Sequence, residues 1–171
     1  MQPGSRLPTR AASIGKSSLL TRVVHTVRDR WPNWLVVQVN IQDYETDTLL
    51  DLRSFLSQLA EEAVYAAGGT PVPSDALSSS PFSIAVGFKR LFASRILQRY
   101  EGVLLAIDEV DHLVQPQGCA RDFFVMLRAW NEAGKSHPTW KRLRILLCFC
   151  TEASMVPPNQ RGSPLANVGL K

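Results

Sequence analysis

Two short stretches carry residue types that could do chemistry together. The first is Gly15-Lys16-Ser17-Ser18, set just ahead of an apolar pattern of helical period. A helix that opens there presents backbone N–H groups, an ammonium and hydroxyls at its positive end, which suits an anion. The lysine could reach terminal phosphates, and the Ser17 hydroxyl could ligate Mg²⁺. The second is Asp108-Glu109, with Asp111 two residues on, directly after the apolar run Val103-Leu104-Leu105-Ala106-Ile107. A carboxylate fixed at a strand tip can hold a metal ion while its neighbour polarises a water. The carboxyl ends of strands are where open α/β sheets place their ligands. Either stretch alone has a plain reading. The tripeptide turns up by chance, and the acidic pair fits a solvated turn. Found in one chain in this order, they reinforce each other.

The elements that would carry them are legible from periodicity. Leu19, Leu20, Val23, Val24 and Val27 mark one buried side of a helix that opens at Gly15-Lys16 and ends near Trp31-Pro32. The run Leu35–Val39, between Asn33 and Asn40, predicts a strand. Thr48 with Asp51 three residues on predicts the cap of a helix whose inward residues are Leu52, Phe55, Leu56, Leu59 and Ala63, stopped by Gly68-Gly69. Residues 67–82, rich in Gly, Pro and Ser, predict a long mobile loop. The next helix sends Ile84, Phe88, Leu91, Phe92 and Ile96 inward and Lys89, Arg90, Arg95 and Arg99 outward. Five apolar residues without alternation predict a strand over 103–108 that is covered on both faces, followed by a loop through Pro116. A helix from about Ala120 buries Phe123, Phe124, Leu127 and Trp130, and breaks at Gly134 and Pro138. Arg144–Cys150 predicts a third strand ending at Thr151-Glu152, and residues 1–13 and 153–171 read as irregular. Strands alternating with helices mean right-handed crossovers and a parallel sheet with helices on both faces, an α/β fold.

Composition narrows the partners. The chain has 171 residues, 45% hydrophobic and 20% charged, the balance of one ordinary globular domain. No apolar run approaches the ~18 residues that span a bilayer, and MQPGSRLPTR lacks the apolar core of a signal peptide, so a cytoplasmic address is the expectation. The net charge is +4, but Arg22, Arg28, Arg30, Arg53, Arg90, Arg95, Arg99 and Arg121 are scattered, and the tightest cluster is Lys141-Arg142-x-Arg144. A nucleic-acid binder concentrates such charge on one face with interleaved aromatics. Solvated helix faces are therefore expected rather than a polyanion site. Cys148 and Cys150 would share one face of a strand as small core residues, and Cys119 stands alone in a loop. Histidines only at 25, 112 and 137 give no zinc-ligand spacing, so a metal here would be held by oxygen.

With these residues in view, the chain resembles the AAA-like P-loop ATPase domains common in cyanobacterial and related bacterial proteins, near the signalling ATPases of the STAND type. IDEVDHL, RDFFVMLRAWNE, WKRLRILLCFCTEAS and RGSPLANVG follow that family's order, GKSSLL matches the start of its first helix, and the likeness spans roughly residues 13 to 171. It departs at Leu165-Ala166, at Arg10 where the phosphate loop wants glycine, and in lacking a buried strand ahead of the loop. The resemblance implies ATP and Mg²⁺ held by Gly15, Lys16, Ser17, Ser18, Asp108 and Thr151. Lys16 would be the phosphate lysine and Ser17 the metal hydroxyl. Asp108 would be the metal carboxylate through water, Glu109 the residue that orients or deprotonates the attacking water, and Thr151 a sensor of the γ-phosphate. Asp111 matches the extra acid of STAND-type sites. The family's sheet order is 5-1-4-3-2, so strands at 35–39, 103–108 and 144–150 correspond to its contiguous second, third and fourth. The first and fifth strands and the helical lid are missing, which leads us to expect a partial domain, truncated at both ends, with an apolar edge at 144–150. The implied role is an ATP-binding switch domain, ATP-hydrolysing in intact relatives and weak or inactive here, acting with other protein domains or in a self-assembling oligomer. The competing expectation is a non-catalytic interaction module that keeps the fold with a degenerate site.

Overall fold

The computed structural model describes residues 16–70, 77, 83–114 and 118–149. The expectations placed on residues 1–15, on most of the 67–82 loop and on everything from Cys150 onward, Thr151 included, fall outside them. Helix α1 (Lys16–Arg30) buries Leu20, Val24 and Val27, spaced as one helix face requires, and carries Arg28 and Arg30 at its negative end. Trp34 N–H donates to the Trp31 carbonyl at 2.9 Å, closing a tight turn into strand β1 (Trp34–Asn40).

A 3₁₀ turn, Ile41–Asp43, leads to α2 (Thr46–Leu50) and then α3 (Leu52–Ala66). Here the capping expectation needs correction. Thr48 lies inside α2, whose Leu49 is buried, and the backbone becomes extended at Asp51. Asp51 is itself the N-cap of α3, its Oδ2 accepting the Ser54 N–H and the Ser54 hydroxyl, each at 2.8 Å. The other end of α3 is as read. Gly68 takes φ 62°, and Gly68 and Gly69 donate to the carbonyls of Tyr65 and Val64, the double bond that a left-handed glycine permits.

Helix α4 (Ile84–Leu91) widens without a break into a π-helical turn, Phe92–Leu97, closed by Gln98 N–H on the Ala93 carbonyl at 3.1 Å. The wider turn buries Leu97 beside Ile96, which a period of 3.6 does not foresee. Lys89, read as outward, is half-buried with its ammonium 5.3 Å from the centre of the Trp140 ring. After strand β2 (Gly102–Asp108) and a 3₁₀ turn, Val110–Leu113, comes α5 (Ala120–Ser136). Gly134 does not break α5. A Cβ there would stand 3.2 Å from the Trp140 carbonyl, so the glycine lets that segment pack close. The helix instead ends where His137, preceding Pro138, turns extended.

A last 3₁₀ turn, Trp140–Arg142, enters strand β3 (Leu143–Leu147). The third strand is shorter than the predicted 144–150. Cys148 N–H still donates to the Ile107 carbonyl at 2.8 Å, but β2 ends at Asp108 and the regular ladder ends with it. The sheet of the described residues is parallel throughout, in the order β1-β2-β3, with Val36 beside Leu104, Leu104 beside Arg144 and Asn40 beside Asp108.

Alternation along the strands sorts the core. Leu35, Val37, Val39, Val103, Leu105 and Ile107 face a large cluster built by α3, α4, the π turn and α5, in which Trp130 stacks on Phe88 (5.4 Å) and meets Trp140 (4.9 Å). Val36, Leu104 and Ala106 face the other way, against Leu20, Val24 and Val27 of α1. The sheet thus has helices on both faces, the α/β layering expected. Among the described residues no helix is long and apolar enough to cross a membrane.

Candidate functional site

Asp108 closes β2 in register with Asn40, the last residue of β1. The chain then leaves the strand abruptly. Glu109 takes φ 55° and ψ 39°, the one non-glycine with positive φ among the described residues. For an L-residue this conformation costs on the order of 1 kcal/mol, so its surroundings have to impose it. Three bonds do. Asp108 Oδ1 accepts the Glu109 N–H at 3.0 Å. Val110 N–H donates to the Cys148 carbonyl at 3.0 Å, tying the turn to the end of β3, and His112 N–H donates back to the Glu109 carbonyl at 3.1 Å. The left-handed step releases Glu109 from the strand's alternation and holds it at the sheet's end. Strained backbone of this kind concentrates at functional sites.

Helix α1 packs along the sheet and ends three residues before β1 begins. Its first turn is therefore directed to the carboxyl end of the strands, the end that carries Asp108. The backbone of Lys16 and Ser17 lies in that turn, with Ser18 exposed behind them. The topology thus brings together the start of α1, the end of β1 and the Asp108-Glu109 tip. Asp111 is half-buried in the 3₁₀ turn that follows. Gly15 and Thr151, expected as the phosphate-loop glycine and the sensor threonine, lie outside the described residues.

Three residues that sequence reading passes over sit at the same end. Asn40 Oδ1 accepts the Gln42 N–H at 3.0 Å and caps the Ile41–Asp43 turn. Gln42 Nε2 stands 3.3 Å from His112 Nε2, and the same His112 nitrogen stands 3.9 Å from Glu109 Oε2. An asparagine ending a strand is a readable cap signal. Gln42 and His112 are 70 residues apart, and only the pairing of β1 with β2 brings them together.

The donor set fits Mg²⁺ bound with a phosphate ligand. Among the described residues no three His, Cys, Asp or Glu side chains converge into a cluster that could hold a metal by themselves. Mg²⁺ does not require one, since it is held by one or two protein oxygens together with substrate phosphates and waters. Asp108, with Oδ1 fixed by the Glu109 N–H, can offer Oδ2 in that manner. A groove of about 370 Å³ lies elsewhere, lined by Lys89, Arg90, His137 and Trp140, near the amino ends of β2 and β3 and away from the carboxylate pair. Within the Lys141-Arg142-x-Arg144 cluster, Arg142 Nη1 donates to the carbonyls of Leu97 and Tyr100, and Arg144 Nη1 to those of Lys141 and Leu143.

A parallel sheet between helix layers, with an acidic pair at the carboxyl tip of its central strand, defines an α/β domain of the P-loop kind. The family model of the AAA-like domain matches residues 1–171, and the chain belongs to that family. Membership makes it a nucleotide-binding domain of the ATPase type. No curated protein and no solved structure matches the chain.

Proposed function

We propose that this domain binds ATP with Mg²⁺ at the carboxyl end of its sheet and serves as a nucleotide-dependent switch within a signalling or regulatory protein. The observation that carries the reading is the Asp108-Glu109 tip, set at the end of the sheet towards which α1 opens, in a chain of the AAA-like domain family. Gly15, Lys16, Ser17 and Ser18 form the phosphate side of the site. The N–H groups of the opening helix and the Lys16 ammonium hold the terminal phosphates, while the Ser17 hydroxyl and the Asp108 carboxylate hold the metal. Bound Mg²⁺ neutralises charge on the β- and γ-phosphates. Glu109 orients the attacking water and accepts its proton, and Thr151 contacts the γ-phosphate. Partners in this reading are other protein domains or further copies of the chain, and hydrolysis by this chain is slow.

The second reading, an interaction module without chemistry, is favoured by Arg10, which stands where a phosphate loop has glycine. Single-turnover hydrolysis of radiolabelled ATP separates the two. On the first reading Glu109→Gln lowers the rate by about 100-fold or more while MgATP still binds. Absence of any MgATP binding to the unmodified chain would establish the second.

A further inference from the structure

We propose that the groove near the amino ends of β2 and β3 docks an acidic peptide segment of another protein domain, in which aliphatic side chains alternate with carboxylates. The groove lies away from the Asp108-Glu109 tip. The inference therefore stands apart from the nucleotide reading and is tested without nucleotide.

One wall is a helical stripe. Val86, Lys89, Arg90 and Ala93 follow the i, i+3, i+4, i+7 spacing of a single face that runs from α4 into the π turn. The other wall is the turn after α5, which contributes His137, Thr139 and Trp140. That turn packs close because position 134 has no Cβ, and the Trp140 and Lys141 N–H groups both donate to the His137 carbonyl at 3.1 Å. Trp140 is buried against Trp130, so this side of the groove is rigid before any ligand arrives.

The lining, about 370 Å³ in volume, mixes cations with apolar surface and contains no carboxylate. Lys89 holds its ammonium 5.3 Å from the centre of the Trp140 ring, and among the described residues no carboxylate pairs with it. An ammonium resting on a ring keeps hydrogens for an anion. Thr139 N–H donates to His137 Nδ1 at 3.3 Å, so in the neutral ring the hydrogen is on Nε2, a further donor. Exposed Val86 and half-buried Ala93 add apolar surface beside these donors. Carboxylates flanked by aliphatic side chains complement both. A nucleic acid fits less well. The Trp140 ring that a base would stack on already faces the Lys89 ammonium. Arg142 and Arg144, which would extend a phosphate track, direct guanidinium hydrogens to backbone carbonyls. This chain is itself basic, at +4, and its stretches outside the described residues hold two acids, Asp75 and Glu152, neither beside another. Charge complementarity therefore points to a segment from another domain.

The test is fluorescence anisotropy of a fluorescein-labelled peptide of alternating leucine and glutamate, titrated with the full chain at about 0.1 M salt. Binding should saturate. Lys89→Met keeps an unbranched side chain on Trp140 but drops the charge, and should weaken binding about fivefold or more. Val86→Glu, which sets an acid in the groove at an exposed helix position, should weaken it by a similar factor. Arg121→Gln removes an equal charge from an exposed position on α5 outside the groove, and should leave the affinity unchanged. Four results would each overturn the proposal. The peptide does not bind; Lys89→Met or Val86→Glu binds it as tightly as the unmodified chain; Arg121→Gln weakens it as much as they do; or a single-stranded oligothymidylate of equal charge binds as tightly as the peptide.

Discussion

The two carboxylates at the end of β2 are held by different means, and the difference sets what each can do. Asp108 remains in the strand, so its direction is fixed by the pleat and by the N–H bond on Oδ1. Glu109 is held in a left-handed backbone whose strain glycine, having no Cβ, would relieve. Glu109→Gly should therefore stabilise the turn even as it removes the carboxylate, whereas Glu109→Gln changes the chemistry alone. Cys119 illustrates the opposite outcome for a reactive group. Sequence reading leaves it in a loop, but it is buried at the N-cap of α5, its N–H on the Leu49 carbonyl at 3.1 Å. Burial pushes the Cys119 thiol up to about 11. Only on the order of one molecule in a thousand carries the thiolate at pH 8. Iodoacetamide at pH 8 should modify Cys119 far more slowly than a free cysteine, and labelling at the free-thiol rate would show that the α2–α5 contact opens readily.

Among the elements, those with a strong period were legible and those set by backbone contacts were not. The apolar runs foretell all three strands, and the spacing of Phe55, Leu56, Leu59 and Ala63 foretells α3. The end of α3 was readable because glycine has a known use there. Its start was misjudged because Thr48 and Asp51 both look like caps, and only the packing of Leu49 decides between them. Hydrogen bonds from the Ser54 backbone and then its hydroxyl hold the Asp51 carboxyl below the usual carboxylate range. Its folded value lies under its unfolded value, so the cap's contribution is present above pH ~4 and is lost as pH falls through the folded value. Asp51→Ala should cost about 1 kcal/mol in urea unfolding at pH 7, and less at pH 3. An equal loss at both would show that the carboxylate is not the cap. Gly102, at the head of β2, lies beneath the Trp34 indole, where a Cβ would overlap the ring. Gly102→Ala should destabilise by about 1–3 kcal/mol through displacement of Trp34, which tilts against Trp31 at 5.4 Å. An unchanged melting curve would mean that Trp34 is free to move aside.

At the scale of the whole molecule, the layering, the parallel pairing and the strand order were readable. They follow from alternation of element types and from a family likeness carried by IDEVDHL and its neighbours. The place of Asp108-Glu109 at a strand tip was readable in the same way, because Asp-Glu after an apolar strand is a local signal. The rest was not. Gln42 meets His112 through β1–β2 pairing across 70 residues, and the left-handed turn at Glu109 is held in part by the Val110 N–H bond to the Cys148 carbonyl just past β3. Neither leaves a trace in spacing. The proposed function joins the two halves of the site through the α1 opening and the β2 tip at one end of the sheet, and Lys16 is the residue that tests it. Calorimetric titration of the full chain with MgATP should give saturable binding that requires Mg²⁺ and weakens by about tenfold or more in Lys16→Ala, a loss of about 1.4 kcal/mol or greater. Equal affinity in the two proteins, or no binding in either, would contradict the account.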